Sequence, residues 1–190
     1  LGEPVAIKPP IAAHFRRLGG SNLLVAGRDE EAAVGIIVAG LLSLAAQYRP
    51  KEVRFEVIDL TTYDSSWAEV PETLADVLPH PIQVLGRRDV ADIIVDINGL
   101  VRERLEEARQ ITGPAVYLVI LGLHRARALR QEAGSFFPSY NEEETPSSSQ
   151  RFATILEDGP EVDIHVLAWC DAYANLVRVL DRRAIGEFGM

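Results

Sequence analysis

The sequence predicts an α/β fold, a mostly parallel β-sheet with helices on both faces. Three observations lead there. Segments of β character alternate with helix-forming segments along the chain, the pattern that crossover-connected parallel strands leave. Residues 115–121, Ala-Val-Tyr-Leu-Val-Ile-Leu, form an unbroken apolar run, as a strand buried on both faces requires. Residues 21–35 read as strand, glycine turn and helix: 22–26 are apolar with β character, Gly27 interrupts them, and strong helix formers run from Glu31 to Gln47.

One domain accounts for 190 residues, enough for a sizeable single core. With 47% hydrophobic and 25% charged residues the composition is that of an ordinary globular chain. A net charge of −9 argues against a standing nucleic-acid footprint, which is normally basic. The single cysteine, Cys170, excludes an internal disulfide and fits a reducing, cytoplasmic compartment. The first residue is Leu1 rather than methionine, which fits a piece cut from a longer polypeptide, and the start lacks the regions of a signal peptide.

Taken in order, residues 1–10 carry Pro4, Pro9 and Pro10 and are expected to lie extended at the edge. Residues 11–18 predict a short turn of helix with Arg16 and Arg17 on a solvated face. After the strand at 22–26, residues 32–46 are almost wholly apolar but fall short of the roughly twenty a bilayer needs. They predict a helix buried all round, without membrane contact. Residues 53–60 predict a strand, with Asp59 at its carboxyl end either a site residue or a cap of the next turn. Residues 61–66 form a polar loop, and 67–78 a short helix broken at Pro71, with Trp67 packing or anchoring a partner.

Residues 82–85 predict a brief strand, and 87–110 the longest helix. Its apolar stripe is Val90, Ile93, Ile94, Ile97, Val101, Leu105 and Ala108, with Arg102, Glu103, Arg104, Glu106, Glu107 and Arg109 on the solvated side. The run at 115–121 predicts the central strand. Residues 125–132 predict a helix with Arg125, Arg127 and Arg130 clustered, and 136–150 have the composition of a mobile acidic and serine-rich loop, exposed or ordered by a partner. A short helix at 151–157 leads to the last strand, 163–169, with His165 as a hydrogen-bonded core residue and Cys170-Asp171 at its carboxyl end. Cys170 lacks a basic neighbour in sequence that would make it a reactive thiolate. Residues 173–184 predict a helix, and another strand could begin at 186–190.

The turn at Gly27 stands where a P-loop would sit, a glycine-rich turn between strand and helix whose backbone N–H groups hold phosphates. A working loop reads G-x-x-x-x-G-K-[ST]. Here Gly27 is followed by Arg28, Asp29, Glu30, Glu31, Ala32 and Ala33, with no second glycine, no lysine for the phosphates and no hydroxyl for Mg²⁺. Three carboxylates complement the helix dipole themselves, by roughly 0.3–1 kcal/mol each, and would repel a phosphate. The central strand ends in Gly122-Leu123, neither of which coordinates a metal or accepts a proton. His124 follows as a lone candidate base.

The segments Leu1-Gly-Glu-Pro-Val5, Asn22-Leu-Leu-Val-Ala-Gly27, Pro50-Lys-Glu-Val-Arg-Phe-Glu-Val-Ile-Asp59, Val116-Tyr-Leu-Val-Ile-Leu121 and Asp163-Ile-His-Val-Leu-Ala168 together resemble the FtsK/SpoIIIE ATPases, which include bacterial DNA translocases and the ATPase of type VII secretion. The resemblance implies a RecA-like P-loop NTPase fold within a multi-domain, ring-forming motor. For the parent family it implies ATP and Mg²⁺ as cofactors, other ATPase domains in a hexameric ring as partners, and DNA bound only through the full assembly. It places the P-loop lysine and hydroxyl at Ala32 and Ala33, the metal aspartate and catalytic glutamate at Gly122 and Leu123, and the polar sensor near Trp169 and Cys170.

Scaffold without engine is the expectation: a degenerate ATPase-like domain, binding no cofactor, that serves as a structural or regulatory partner of active domains. Two alternatives follow from the resemblance. One is an active, ATP-binding DNA translocase domain of cell division or chromosome segregation. The other is a peptide-binding module of a secretion-type ATPase whose vacated pocket, at Trp169 and Cys170, takes a partner segment.

Overall fold

The computed structural model describes residues 12–107, 113–130 and 146–189. Expectations for residues 1–11, for Ala108 and Arg109 at the end of the long helix, and for 131–145 in the acidic loop fall outside these. Five parallel strands, β1 (Leu23–Ala26), β2 (Val53–Asp59), β3 (Ile82–Leu85), β4 (Ala115–Leu121) and β5 (Ile164–Cys170), form one sheet in the order β1-β5-β4-β2-β3. The apolar run at 115–121 is the middle strand, buried at every position. Its alternate residues serve two cores. Tyr117, Val119 and Leu121 pack with Ile37 and Leu41 of α1 (Glu30–Gln47), while Val116, Leu118 and Ile120 pack with Ile94 and Ile97 of α3 (Val90–Glu106) and Phe152 of α4 (Ser148–Asp158). Helices therefore cover both faces, each fully buried large side chain contributing roughly 1.5–3 kcal/mol. The register sets Ala26 beside Cys170, Trp169 beside Leu121 and Leu121 beside Asp59. Four strand ends thus share one carboxyl edge.

Several elements differ from expectation for identifiable reasons. Helix α1 begins at Glu30 because Asp29 caps it, Oδ1 accepting from the Ala32 N–H at 3.0 Å. It is not buried all round: Ala32, Ala39, Leu42 and Ala46 stay exposed, since only the sheet side is covered. No helix forms at residues 12–18. Pro71 does not break α2 (Val70–Val77) but lies in its first turn, where a missing N–H costs nothing, and Trp67 precedes the helix and packs near Gly35. The 17 residues of α3 fall one short of α1's 18.

At the end of α3 the expected faces exchange. Leu105 is 37% exposed and Arg104 only 3%, its Nη1 donating to Val162 O at 2.9 Å and its Nη2 to Pro114 O at 2.8 Å. Those carbonyls precede β5 and β4, so the guanidinium ties two strand entries to the helix. Burial pushes its pKa down.

The arginine cluster is not a helix but two 3-10 turns, Leu123–Arg125 and Arg127–Leu129, with Arg125 turned inward and Arg127 and Arg130 exposed. Residues 148–150 belong to α4 rather than to a loop. Ser147 caps it by accepting from the Gln150 N–H, and the Gln150 side chain returns the bond to the Ser147 N–H. Residues 173–184 form two short helices, α5 (Tyr173–Leu176) and the start of α6 (Arg182–Gly186), separated because Asp181 caps the second. At the end of the chain Phe188 makes single bridges to Ser21 and Asn22 instead of a strand.

Two expectations hold closely. Asp59 caps the turn after β2, accepting from the Thr61 N–H at 2.9 Å. His165 is buried, its Nδ1 2.8 Å from Ser21 O and its ring stacked on Tyr117 at 5.4 Å, with Phe15 against its edge. Burial holds His165 below its ordinary 6.5, against the Ser21 carbonyl and the Asp163 charge. Because the folded pKa is depressed, the neutral ring's contribution is present above about pH 6.5 and lost as the pH falls, when the unfolded chain takes up a proton the folded one refuses. Urea titrations should show His165→Asn less stable than wild type at pH 7.5, and losing less between pH 7 and 5.

Candidate functional site

In open parallel sheets ligands bind at the carboxyl ends of the strands. That edge here gathers residues 27–30 after β1, Gly122 to Arg125 after β4, and Trp169 to Asn175 at the end of β5. The β1 to α1 connection is short. Only Gly27 and Arg28 separate the strand from the capping Asp29, whereas a phosphate-wrapping loop needs four residues between its glycines alone. The Gly27 N–H donates to Cys170 O at 3.0 Å, extending the sheet. Gly27 is not in the left-handed region, and a Cβ there would meet nothing within 4 Å, so neither strain nor crowding demands a glycine.

The positive end of α1 is occupied from within. Asp29 takes the Ala32 N–H, and Glu30 pairs with Arg125 at 3.3 Å. Ala32 is exposed, Ala33 is buried in the core, and Glu31 points to solvent. Arg125 also donates Nη1 to Leu60 O at 3.2 Å and lies over the Trp169 ring, 5.6 Å from its centroid. Trp169, only 1% exposed, donates its indole N–H to Gly27 O at 2.9 Å. The chain's own cation, acid and aromatic ring line one side of this helix end, while Asp29, Glu31 and Ala32 stay exposed. Trp169 and Cys170 are brought together with the Gly27 turn, but beneath the surface, so a partner segment would reach them only by displacing what covers them.

Gly122 and Leu123 are equally specific to this packing. Gly122 has φ 92° and ψ 48°, left-handed, and a Cβ would come within 3.4 Å of Leu60 O. Leu123 is fully buried. An aspartate at the first position would be strained by its left-handed backbone.

His124 is not the lone histidine that its place in the sequence suggests. The Asp171 N–H donates to its Nδ1 at 3.2 Å, and the two side chains stand 3.6 Å apart. Burial lowers the His124 pKa and raises that of the Cys170 thiol. For Asp171, burial opposes the charge, but the Asn175 hydrogen bond, His124, the Ala172 backbone and Arg125 together outweigh it and hold the carboxyl below its usual range. The contacts of Arg125 and Asp171 are not visible in the sequence, which shows the two only as members of an arginine cluster and a strand end. Elsewhere, a groove of about 660 Å³ opens at the opposite end of the molecule, lined by Phe15, Leu23, Leu44, Tyr48 and Tyr117.

The parallel α/β sheet with strand–turn–helix connections at its carboxyl edge is a fold shared with solved structures of secretion ATPase domains. ATPases 2 and 3 of Thermomonospora curvata EccC, solved with a signal sequence peptide, superpose with a TM-score of 0.63 at 16% identity, over 88% of this chain and 30% of that one. EssC (ATPases 2 and 3) from Geobacillus thermodenitrificans gives 0.59 at 13% identity, over 87% and 30%. The cytoplasmic domain of the Thermomonospora curvata type VII secretion ATPase EccC gives 0.60 at 17%, over 90% and 20%. This chain therefore spans 30% or less of each of these. No protein-family model matches the sequence, and no curated protein matches it significantly.

Proposed function

We propose that this chain is an FtsK/SpoIIIE-type ATPase domain of the secretion kind that has kept the fold and does not hydrolyse ATP, serving as a structural or regulatory part of a multi-domain translocase in the cytoplasm. One observation carries the reading: the helix end that would receive phosphate is capped by Asp29, with the Glu30–Arg125 pair beside it. A triphosphate would have to displace a carboxylate already satisfied by that helix, then stand beside two more. Like charges at contact distance cost about 1 kcal/mol even in water. The left-handed Gly122 supports the same reading, since the turn after the central strand offers neither a carboxylate nor a backbone suited to one.

Thermal melts test it. A nucleotide at a hundred times its dissociation constant adds about 2.7 kcal/mol, or roughly 5–10 °C for a domain of this size. Millimolar MgATP is expected to leave the melting temperature unchanged and to release no phosphate. An upward shift of several degrees would overturn the proposal. A second reading, a peptide-binding module, draws on the EccC structure that holds a signal sequence peptide. It expects such peptides to raise the melting temperature where MgATP does not.

A further inference from the structure

We propose that His124, Cys170 and Asp171 form a binding site for a zinc-class divalent cation at the carboxyl ends of β4 and β5. The three residues offer nitrogen, sulfur and oxygen ligand atoms that all lie within 4.8 Å of one another. His124 Nδ1 is 3.6 Å from Asp171 Oδ1, and Cys170 Sγ is 3.9 Å from the same oxygen. A tetrahedral ion about 2.0–2.3 Å from each ligand sets ligand separations of roughly 3.3–3.8 Å, which the two separations to Asp171 match closely, while all three ligand atoms lie within 4.8 Å.

Each ligand is already held by a neighbour. The Asp171 N–H donates to His124 Nδ1, which makes Nδ1 the unprotonated nitrogen, so that a metal ion would compete with that amide for its lone pair. Asn175 Nδ2 holds both carboxylate oxygens of Asp171, at 2.9 and 3.0 Å, the kind of outer support that fixes metal-binding carboxylates. The Cys170 Sγ–H points to Ala172 O at 3.4 Å. The Asp171 side chain is 32% exposed and gives the ion a way in.

Sulfur and imidazole select zinc or cobalt over magnesium. Three protein ligands leave a fourth position for water or for a side chain brought by a partner. A cysteine nucleophile made from the same triad is the poorer reading, because Cys170 is fully buried among the described residues. On binding, the thiol proton leaves to solvent and the ion takes the place of the Asp171 amide on Nδ1. Nothing in this depends on the phosphate seat.

The test uses the 190-residue chain, stripped of metal and kept reduced, titrated with CoCl₂ and then ZnCl₂. One equivalent of cobalt should develop a thiolate-to-metal charge-transfer band in the near ultraviolet, which zinc abolishes by displacement. Cys170 is the sole cysteine, so the band can come from no other thiolate. Cys170→Ser should lose it, and Asn175→Ala, which keeps all three ligands, should weaken cobalt affinity about 10–100-fold. Circular dichroism melts of Asp171→Asn and Asn175→Ala, both near the surface, separate lost binding from lost fold. Absence of the band in the wild type, or wild-type affinity in folded Asp171→Asn and His124→Ala, would overturn the site.

Discussion

Asn22→Ala is expected to lower the folding free energy by about 3–5 kcal/mol, because one buried amide satisfies three backbone groups from separate parts of the chain. Its Nδ2 donates to Leu156 O in α4 and to Glu187 O after α6, each at 2.9 Å, and its Oδ1 accepts from the Val166 N–H of β5 at 2.8 Å. Each buried group left unpaired costs roughly 1–3 kcal/mol, less whatever water recovers. Asn22→Asp should be nearly as damaging, since it keeps the acceptor for Val166 but sets a carboxylate against two carbonyls. Urea denaturation reads the loss directly, and a change under 1 kcal/mol would refute the role. The consequence reaches the site: β1 has four residues at an edge of the sheet, and Asn22 fixes where it enters. The Gly27 turn is placed by that entry.

How much was legible in the sequence follows from how local each signal is. The sheet is legible because seven consecutive apolar residues at 115–121 suit little besides a strand covered on both faces, and the alternation of strands and helices sets its class. The start of α4 was local too, a Ser147-x-x-Gln150 capping box, yet the surrounding serines, prolines and glutamates carried the reading toward a loop. Arg104 sits among charged residues and shows nothing in sequence of the Val162 and Pro114 carbonyls that draw it inward. The His124 to Asp171 contact spans 47 positions and exists only because β4 and β5 pair in one particular register. The acidic character of the Gly27 turn was visible from the start. That Asp29 caps the helix while Glu30 pairs across to Arg125 required the turn after β4 to be in place.

The second large effect is expected at Trp169. Trp169→Ala should cost about 3–5 kcal/mol, as emptying a large, fully buried aromatic site usually does. Trp169→Phe should cost about 1–2 kcal/mol, since a ring remains for Arg125 and His124 to rest on while the hydrogen bond to Gly27 O is lost. The pair of variants separates two pictures of this residue. A tryptophan held ready on an open surface for a partner would be nearly neutral to truncation in the isolated chain, within about 0.5 kcal/mol. One packed into the carboxyl edge would be costly, and the cost would fall on the Gly27 turn, the Arg125–Glu30 pair and the His124 ring together, because all three lean on the same indole. In Trp169→Ala, Arg125 loses its aromatic support and the Gly27 carbonyl its donor, so the seat loosens without regaining any phosphate ligand. Melts of that variant with MgATP should therefore still show no shift, which would locate the barrier to nucleotide in the acidic turn itself rather than in the ring beside it.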